Sequence, residues 1–230
     1  MGDLHGCRDE ALDLLEKLAV TSSDRVIFAG DLVDRGPDPR GCVELAMAHE
    51  AILGNHEEKH LRIRGRPADA LSPDHLRTRQ ALDDAHYAWL DGLPLYLRLP
   101  ESNAVVVHAG VLPDRPIEAQ TDHVLLHGQH LCPPKKDSKW PSKAPAGWRF
   151  WTNYWRGPER VIFGHTVLTK PLVSPHAVGI DTGCVHGHTL TAVVLPSWEI
   201  VQVPARKAHW GPKGDGISKY EVMDDVYCYS

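Results

Sequence analysis

Arg25-Val26-Ile27-Phe28-Ala29-Gly30-Asp31-Leu32-Val33-Asp34-Arg35-Gly36 is the stretch that decides the reading. Residues 25–29 form a short apolar run suited to a buried strand, and Gly30 stops it. Two aspartates and an arginine follow at once. Open α/β sheets place their ligand sites just past the carboxyl ends of strands, and glycine lets the chain turn sharply there. The same arrangement recurs along the chain. Residues 51–53 run into Gly54-Asn55-His56-Glu57, and residues 104–107 into His108-Ala109-Gly110. Residues 161–163 run into Gly164-His165-Thr166, and Gly2-Asp3-Leu4-His5-Gly6 stands at the start.

Around these punctuation points the chain alternates. Residues 8–20 have apolar positions at helical spacing with acids toward the start, and 41–49, 56–64 and 74–90 also read as helices. The second half turns strand-rich, with strands expected at 95–99, 104–107, 161–163, 178–180, 189–195 and 199–203. The last two are joined by Pro196-Ser197-Trp198, a hairpin-like connection. Helix–strand alternation followed by strands predicts an α/β fold of mixed sheets with helices outside. One domain is expected over residues 1–204, followed by a polar tail, 205–230, that is loosely ordered. Residues 132–147 hold four prolines and four lysines (Lys135, Lys136, Lys139 and Lys143) and predict a long surface loop. The aromatic group Trp148, Phe150, Trp151, Tyr154 and Trp155 reads as the core face of a helix.

Composition narrows the function. The chain has 230 residues, 42% hydrophobic and 24% charged, which excludes a disordered chain and makes one sizeable core affordable. A net charge of −5 argues against non-specific binding of nucleic acid. No apolar run reaches the roughly 18 residues a membrane span needs, and no leader is apparent, so the reading is a cytoplasmic protein. Five scattered cysteines without CxxC spacing suit a reduced chain, with Cys7 and Cys184 as small buried hydrophobes. The abnormal count is fifteen histidines, and histidine is the commonest metal ligand and general acid. His186 and His188 read as exposed loop residues.

Asp3, His5, Asp31, Asn55, His108 and His165 offer oxygen and nitrogen donors and no thiolate. That donor set suits manganese, iron or zinc at two adjacent sites rather than a structural zinc. Asp31 is the natural bridge, because one carboxylate can bind both ions. Two cations roughly 3.5–4 Å apart can clamp a phosphoryl group. His56 is then free to protonate a leaving group, with Asp34 to orient its ring. Arg35 offers a bidentate fork for phosphate oxygens.

The motifs GDLHGC, GDLVDRG, LGNHE, HAG, FGHT and IDTGC, in this order and spacing, resemble the calcineurin-like metallophosphoesterases. The nearest branch is similar to bacterial phosphoprotein phosphatases and symmetrical dinucleoside-tetraphosphatases. The resemblance covers about residues 2–195. It implies a four-layer αββα sandwich, two mixed β-sheets packed together and flanked by helices. It implies one metal on Asp3, His5 and Asp31 and a second on Asp31, Asn55, His108 and His165. The two divalent ions are taken as Mn2+, with Fe, Zn, Ni and Co as alternatives. His56 is implied as general acid paired with Asp34, Arg35 as phosphate ligand, and a metal-bridging hydroxide as the direct attacker of phosphorus. Arg115 is the candidate for a second phosphate-binding arginine.

The family's central strand before GDxHG is represented here by Met1 alone, so Asp3 and His5 are expected on a weakly held terminus. Expected substrates are a nucleoside polyphosphate such as diadenosine tetraphosphate or, alternatively, a phosphoprotein through phosphoserine or phosphothreonine. Further alternatives are a polyphosphatase and a non-catalytic metal- or polyanion-binding module. The lysines of 132–147 are expected to reach distal phosphates. The expected assembly is a monomer.

Overall fold

The computed structural model describes residues 1–131 and 149–211. Trp148, the expected lysine loop with Lys135, Lys136, Lys139 and Lys143, and the tail past Gly211 lie outside the described residues. In chain order the elements are α1 (Arg8–Lys17), β1 (Ile27–Phe28), α2 (Pro39–Met47), β2 (Glu50–Ala51) and α3 (Asn55–Ile63). Next come α4 (Pro73–Ala81), α5 (Asp84–Asp91), β3 (Tyr96–Leu99), β4 (Ala104–Val107), α6 (Asp122–His127) and β5 (His130–Leu131). The chain closes with β6 (Arg149–Phe150), β7 (Arg160–Phe163), β8 (Leu172–Val173), β9 (Ala177–Gly179), β10 (Thr189–Val194) and β11 (Glu199–Pro204).

Five strands form one mixed sheet in the order β3-β4-β7-β9-β8, with β4, β7 and β9 parallel and the two edges antiparallel. The second sheet is assembled across the chain start. β1 pairs with β2 in parallel, and β10 with β11 as a hairpin. Between these pairs lies Met1: its amine donates to the Ile27 carbonyl at 2.7 Å and its carbonyl accepts the Ala29 N–H at 3.0 Å. Gly2 N–H then donates to the Thr191 carbonyl of β10 at 2.9 Å. Contrary to the expectation of a loose terminus, Met1 is buried and Asp3 and His5 are 3% exposed. A ≈ 530 Å³ cavity opens beside Met1 between the sheets, lined in part by Ile27, Val106, Ile162, Val193 and Leu195.

Three apolar layers make this the expected α/β sandwich. Leu4, Leu14, Phe28, Val43, Ala46, Leu90 and Leu190 pack helices α1, α2 and α5 onto the second sheet. Ala29, Ile52, Val106, Ile162, Val178 and Ile180 fill the space between the sheets. Val105, Leu125, Trp151, Trp155, Val161 and Phe163 cover the outer face of the five-stranded sheet. Parallel strands buried on both faces read as continuous apolar runs, which is why 104–107 and 161–163 were legible.

The expected helix over 74–90 is two helices. Asp83 breaks it: its side chain accepts the Ala85 and His86 N–H groups and so caps a new start. Asp38 caps α2 through the Gly41 N–H at 2.8 Å, with Pro39 at the first helical position. Of the described members of the aromatic group, Phe150, Trp151 and Trp155 are core, but they do not form a helix face. Phe150 sits in the two-residue β6, and Trp151 opens a single 3₁₀ turn. Residues 205–210 are tied down where a loose tail was expected. Ala205 N–H donates to His188, His209 and Trp210 donate to Val185, and Arg206 pairs with Asp9 and Asp13. Among the described residues no helix is long and apolar enough to cross a membrane.

Candidate metal centre

Each expected ligand arrives from a different strand end. β1 delivers the turn carrying Asp31, Asp34 and Arg35; β4 delivers His108, β7 delivers His165, and α3 begins at Asn55 and His56. The 3–6 loop is laid against the β1 turn by backbone bonds: Leu4 and His5 N–H donate to the Asp31 carbonyl at 3.1 and 2.8 Å, and Gly6 to Leu32 at 2.8 Å. These turns are strained. Eight described non-glycine residues have positive φ, and five of them (His5, Asp31, Asp34, Arg35 and His165) belong to this site. Strain of that kind persists where surrounding structure over-determines it and gathers at functional sites. Gly30, at φ +89°, has no room for a side chain, since a Cβ would lie 2.7 Å from the backbone of Gly54.

The donor atoms converge on Asp31. Its carboxylate belongs to two groups whose ligand atoms lie within 4.8 Å of one another: His5, Asp31 and His56, and Asp31, His108 and His165. Ring tautomers are set from behind. His5 Nδ1–H donates to the Val33 carbonyl and His108 Nδ1–H to the Ala29 carbonyl, both at 2.8 Å. Each therefore turns Nε2 toward Asp31, at 3.5 Å from Oδ2 for His5 and 3.3 Å from Oδ1 for His108. Burial works to lower the His108 imidazole, but the Asp31 carboxylate outweighs it and pushes it up to about 10. His108 Nε2 also faces Asn55 Oδ1 at 2.9 Å, and His165 Nδ1 faces the same oxygen at 2.8 Å. Nitrogen and oxygen ligand atoms gathered this closely on a carboxylate suit a cation among them. Asp3 adds to the case: Oδ2 accepts the His165 N–H at 2.9 Å, while Oδ1 is buried with no partner. Burial, then the neighbouring Asp181 carboxylate, pushes the Asp3 carboxyl well up. Burial and then His108 push the His165 imidazole down to about 3, keeping it neutral as a ligand must be. The residues present fit divalent metal.

His56 stands beside this cluster. Its Nδ1–H donates to Asp34 Oδ2 at 2.7 Å, and its Nε2 faces an Arg35 guanidinium nitrogen at 3.1 Å. The other Arg35 terminal nitrogen donates to His5 Nε2 at 2.8 Å, so a positive fork already lies against the lone pairs of the site. Asp34 is fully buried and also accepts His60 Nε2–H at 2.6 Å and Thr78 Oγ–H at 2.8 Å. Burial works to raise its carboxyl, but the hydrogen bonds from His56 and His60 outweigh it and hold the carboxylate ionised well below the usual range.

The sequence did not single out four residues here. His60 and Thr78 fix Asp34 from α3 and α4, and no local motif marks them. Asp181 is buried next to Asp3 and accepts the Gly183 N–H at 3.0 Å. Glu57 is fully buried and accepts four backbone N–H groups: Asp31 and Leu32 at 2.8 Å, Gly54 at 3.0 Å and Val33 at 3.2 Å. Its sequence signals are its place at the end of the LGNHE stretch and its position three residues after the helix cap at Gly54. Glu57→Gln keeps the shape but sets an amide N–H group against two of these donors, since each carboxylate oxygen accepts two of them. Each unmet buried donor costs about 1–3 kcal/mol, and 1 kcal/mol moves the midpoint of a chain this size by about 2–4 °C. A lower melting temperature and fewer bound metals are expected, checked by thermal melts and elemental analysis; no change in either would remove the clamp from the argument.

The guanidinium of Arg115, the candidate second phosphate ligand, pairs with Asp114 at 3.3 Å. Cys7 and Cys184 are buried in the first apolar layer, with Glu10 alongside.

A family model described as calcineurin-like phosphoesterase matches residues 1–191 of this chain. The chain belongs to that family. It is a metallophosphoesterase, a hydrolase whose family implies divalent metals. Over 237 residues it is 30% identical to a protein of Bacillus subtilis (strain 168) named bis(5'-nucleosyl)-tetraphosphatase PrpE [asymmetrical], covering 89% of this chain and 93% of that one. A solved structure described as "Crystal structure of a putative diadenosine tetraphosphatase" is 34% identical, with a TM-score of 0.78 over 89% of this chain and 91% of that one. A metallophosphoesterase from Sphaerobacter thermophilus, 16% identical with a TM-score of 0.55 over 90% and 87%, shares the fold. The tetraphosphatase part of the expected resemblance is repeated in these names; the Bacillus relative carries the asymmetrical designation where the symmetrical one was expected.

Proposed function

We propose that this chain hydrolyses a phosphoanhydride bond of a nucleoside polyphosphate, diadenosine tetraphosphate being the model substrate, and that residues 1–204 are the catalytic unit. Asp3, His5, Asp31, Asn55, His108 and His165 would hold two divalent cations, with Asp31 shared and manganese the first ion to try. Two such cations, when bound, neutralise phosphoryl oxygens and supply an activated water. The protein's own groups do the rest. Arg35 presents two guanidinium nitrogens toward the site, and a phosphoryl group entering there would compete for them with His5 and His56. Asp34 keeps Nδ1–H of His56 engaged, so Nε2 is the atom that carries a proton to the departing oxygen. Glu57 and the buried backbone around it hold the Asp31 turn still while charge moves.

The observation that carries this reading is the union of a two-centre ligand set with a ready acid beside it: Asp31 stands in both ligand groups, and the His56–Asp34 pair is adjacent. The choice of an anhydride over a phosphoprotein rests on the names of relatives that align along nearly the whole chain. A side-by-side assay with Mn2+ tests it. The kcat/KM for diadenosine tetraphosphate is expected to exceed that for a phosphoserine peptide by at least about tenfold, or 1.4 kcal/mol of transition-state binding. The reverse order would replace this reading with the protein phosphatase.

A further inference from the structure

A row of three imidazoles leads out of the cluster. The His165 ring is 6.2 Å from that of His127, and His127 is 5.0 Å from His123, one turn earlier on α6. His165 is at the centre, His127 half-buried and His123 exposed, so the row runs from the donor cluster to solvent. Neither His127 nor His123 has a hydrogen-bond partner among the described residues. Their ring nitrogens are therefore not committed to other described protein groups, and each neutral ring can offer an N–H to a ligand. The helix that carries them is anchored. Ala109 N–H, one residue past His108, donates to the Leu125 carbonyl at 2.8 Å, and Trp151 N–H donates to Gln129 at 2.8 Å. The acidic neighbour facing His127 is Glu58 of α3, whose carboxylate is engaged by Arg62 at 3.2 Å.

We propose that this face of α6 is the subsite for phosphates beyond the scissile group, with His127 donating a ring N–H to a distal phosphate oxygen and His123 flanking the chain as it leaves. The inference rests on the nucleoside-polyphosphate reading. A two-cation centre accommodates one phosphoryl group, and the next phosphates need neutral or positive donors nearby. An imidazole N–H on an anchored helix supplies one without the side-chain ordering that a lysine would require.

The test does not depend on turnover of diadenosine tetraphosphate. Inorganic tripolyphosphate and orthophosphate are compared as inhibitors of p-nitrophenyl phosphate hydrolysis, with free Mn2+ held constant. In His127→Ala the inhibition constant for tripolyphosphate is expected to rise about tenfold more than that for orthophosphate, which fills the scissile position alone. His127→Gln, which keeps an N–H donor, is expected to recover part of the difference, and His123→Ala to show a smaller one. Calorimetric binding of tripolyphosphate to the Mn2+-loaded protein should follow the same order. Equal weakening of both anions, weakening of neither, or loss of bound metal in His127→Ala would overturn the subsite. If the native protein ignores diadenosine tetraphosphate yet shows the tripolyphosphate effect, the substrate reading fails and the subsite stands.

Discussion

Asp31→Asn is expected to lower turnover by several orders of magnitude and to strip metal from both halves of the site. The carboxylate is the one group common to both ligand clusters, facing His5 on one oxygen and His108 on the other. An amide keeps one oxygen ligand and loses the charge that offsets repulsion between two cations. It also replaces an acceptor with a donor: Oδ1 now accepts the His56 N–H at 3.0 Å, and that bond positions the first turn of α3. Burial works to raise the Asp31 carboxyl, but His108, His56 and His5 outweigh it and hold it well below the ordinary range. The fold itself should survive, because the three apolar layers pack without this side chain. Elemental analysis and circular dichroism on the same sample check both halves. Two metals per chain at near-native rate would remove Asp31 as the bridge.

Why the site was so legible while parts of the fold were not follows from where each signal resides. Asp31, Asn55, His108 and His165 each follow an apolar strand closely and each sits by a glycine, so four local patterns pointed to the carboxyl ends of strands, two in each of the two sheets. Those patterns are covalently adjacent to the chemistry and need no tertiary information. Glu57, His60 and Thr78 act across 25, 26 and 44 residues of chain on the Asp31–Asp34 turn, and nothing local encodes such a reach. The split between α4 and α5 has a different cause: the Asp83 side chain accepts the Ala85 and His86 N–H groups, a competition with the helical backbone that a helix over 74–90 leaves out. The start of the chain misled most. Position along the sequence suggested a loose end, yet two backbone partners, Ile27 with Ala29 on one side and Thr191 on the other, convert Met1 and Gly2 into the joint between β1 and β10.

His56→Asn should separate acid catalysis from metal chemistry through the leaving group. A general acid matters in proportion to the basicity of the oxygen that departs. An alkoxide needs the proton greatly, a nucleotide phosphate less, and p-nitrophenolate least. The loss is therefore expected to be largest for an alkyl phosphate, on the order of 10²–10⁴-fold, and to shrink down that series. The geometry makes the comparison clean. His56 holds Asp34 through Nδ1 at 2.7 Å, and Asp34 retains His60 and Thr78 when that bond is lost, so the buried carboxylate is not left bare. The ring is also the member of its ligand group with the most solvent access, as a proton donor to substrate requires. Asparagine can still meet Asp34 with its amide N–H but carries no transferable proton. A uniform loss across all three leaving groups, together with a fall in bound metal, would instead make His56 a ligand alongside His5 and Asp31, the set its own distances allow.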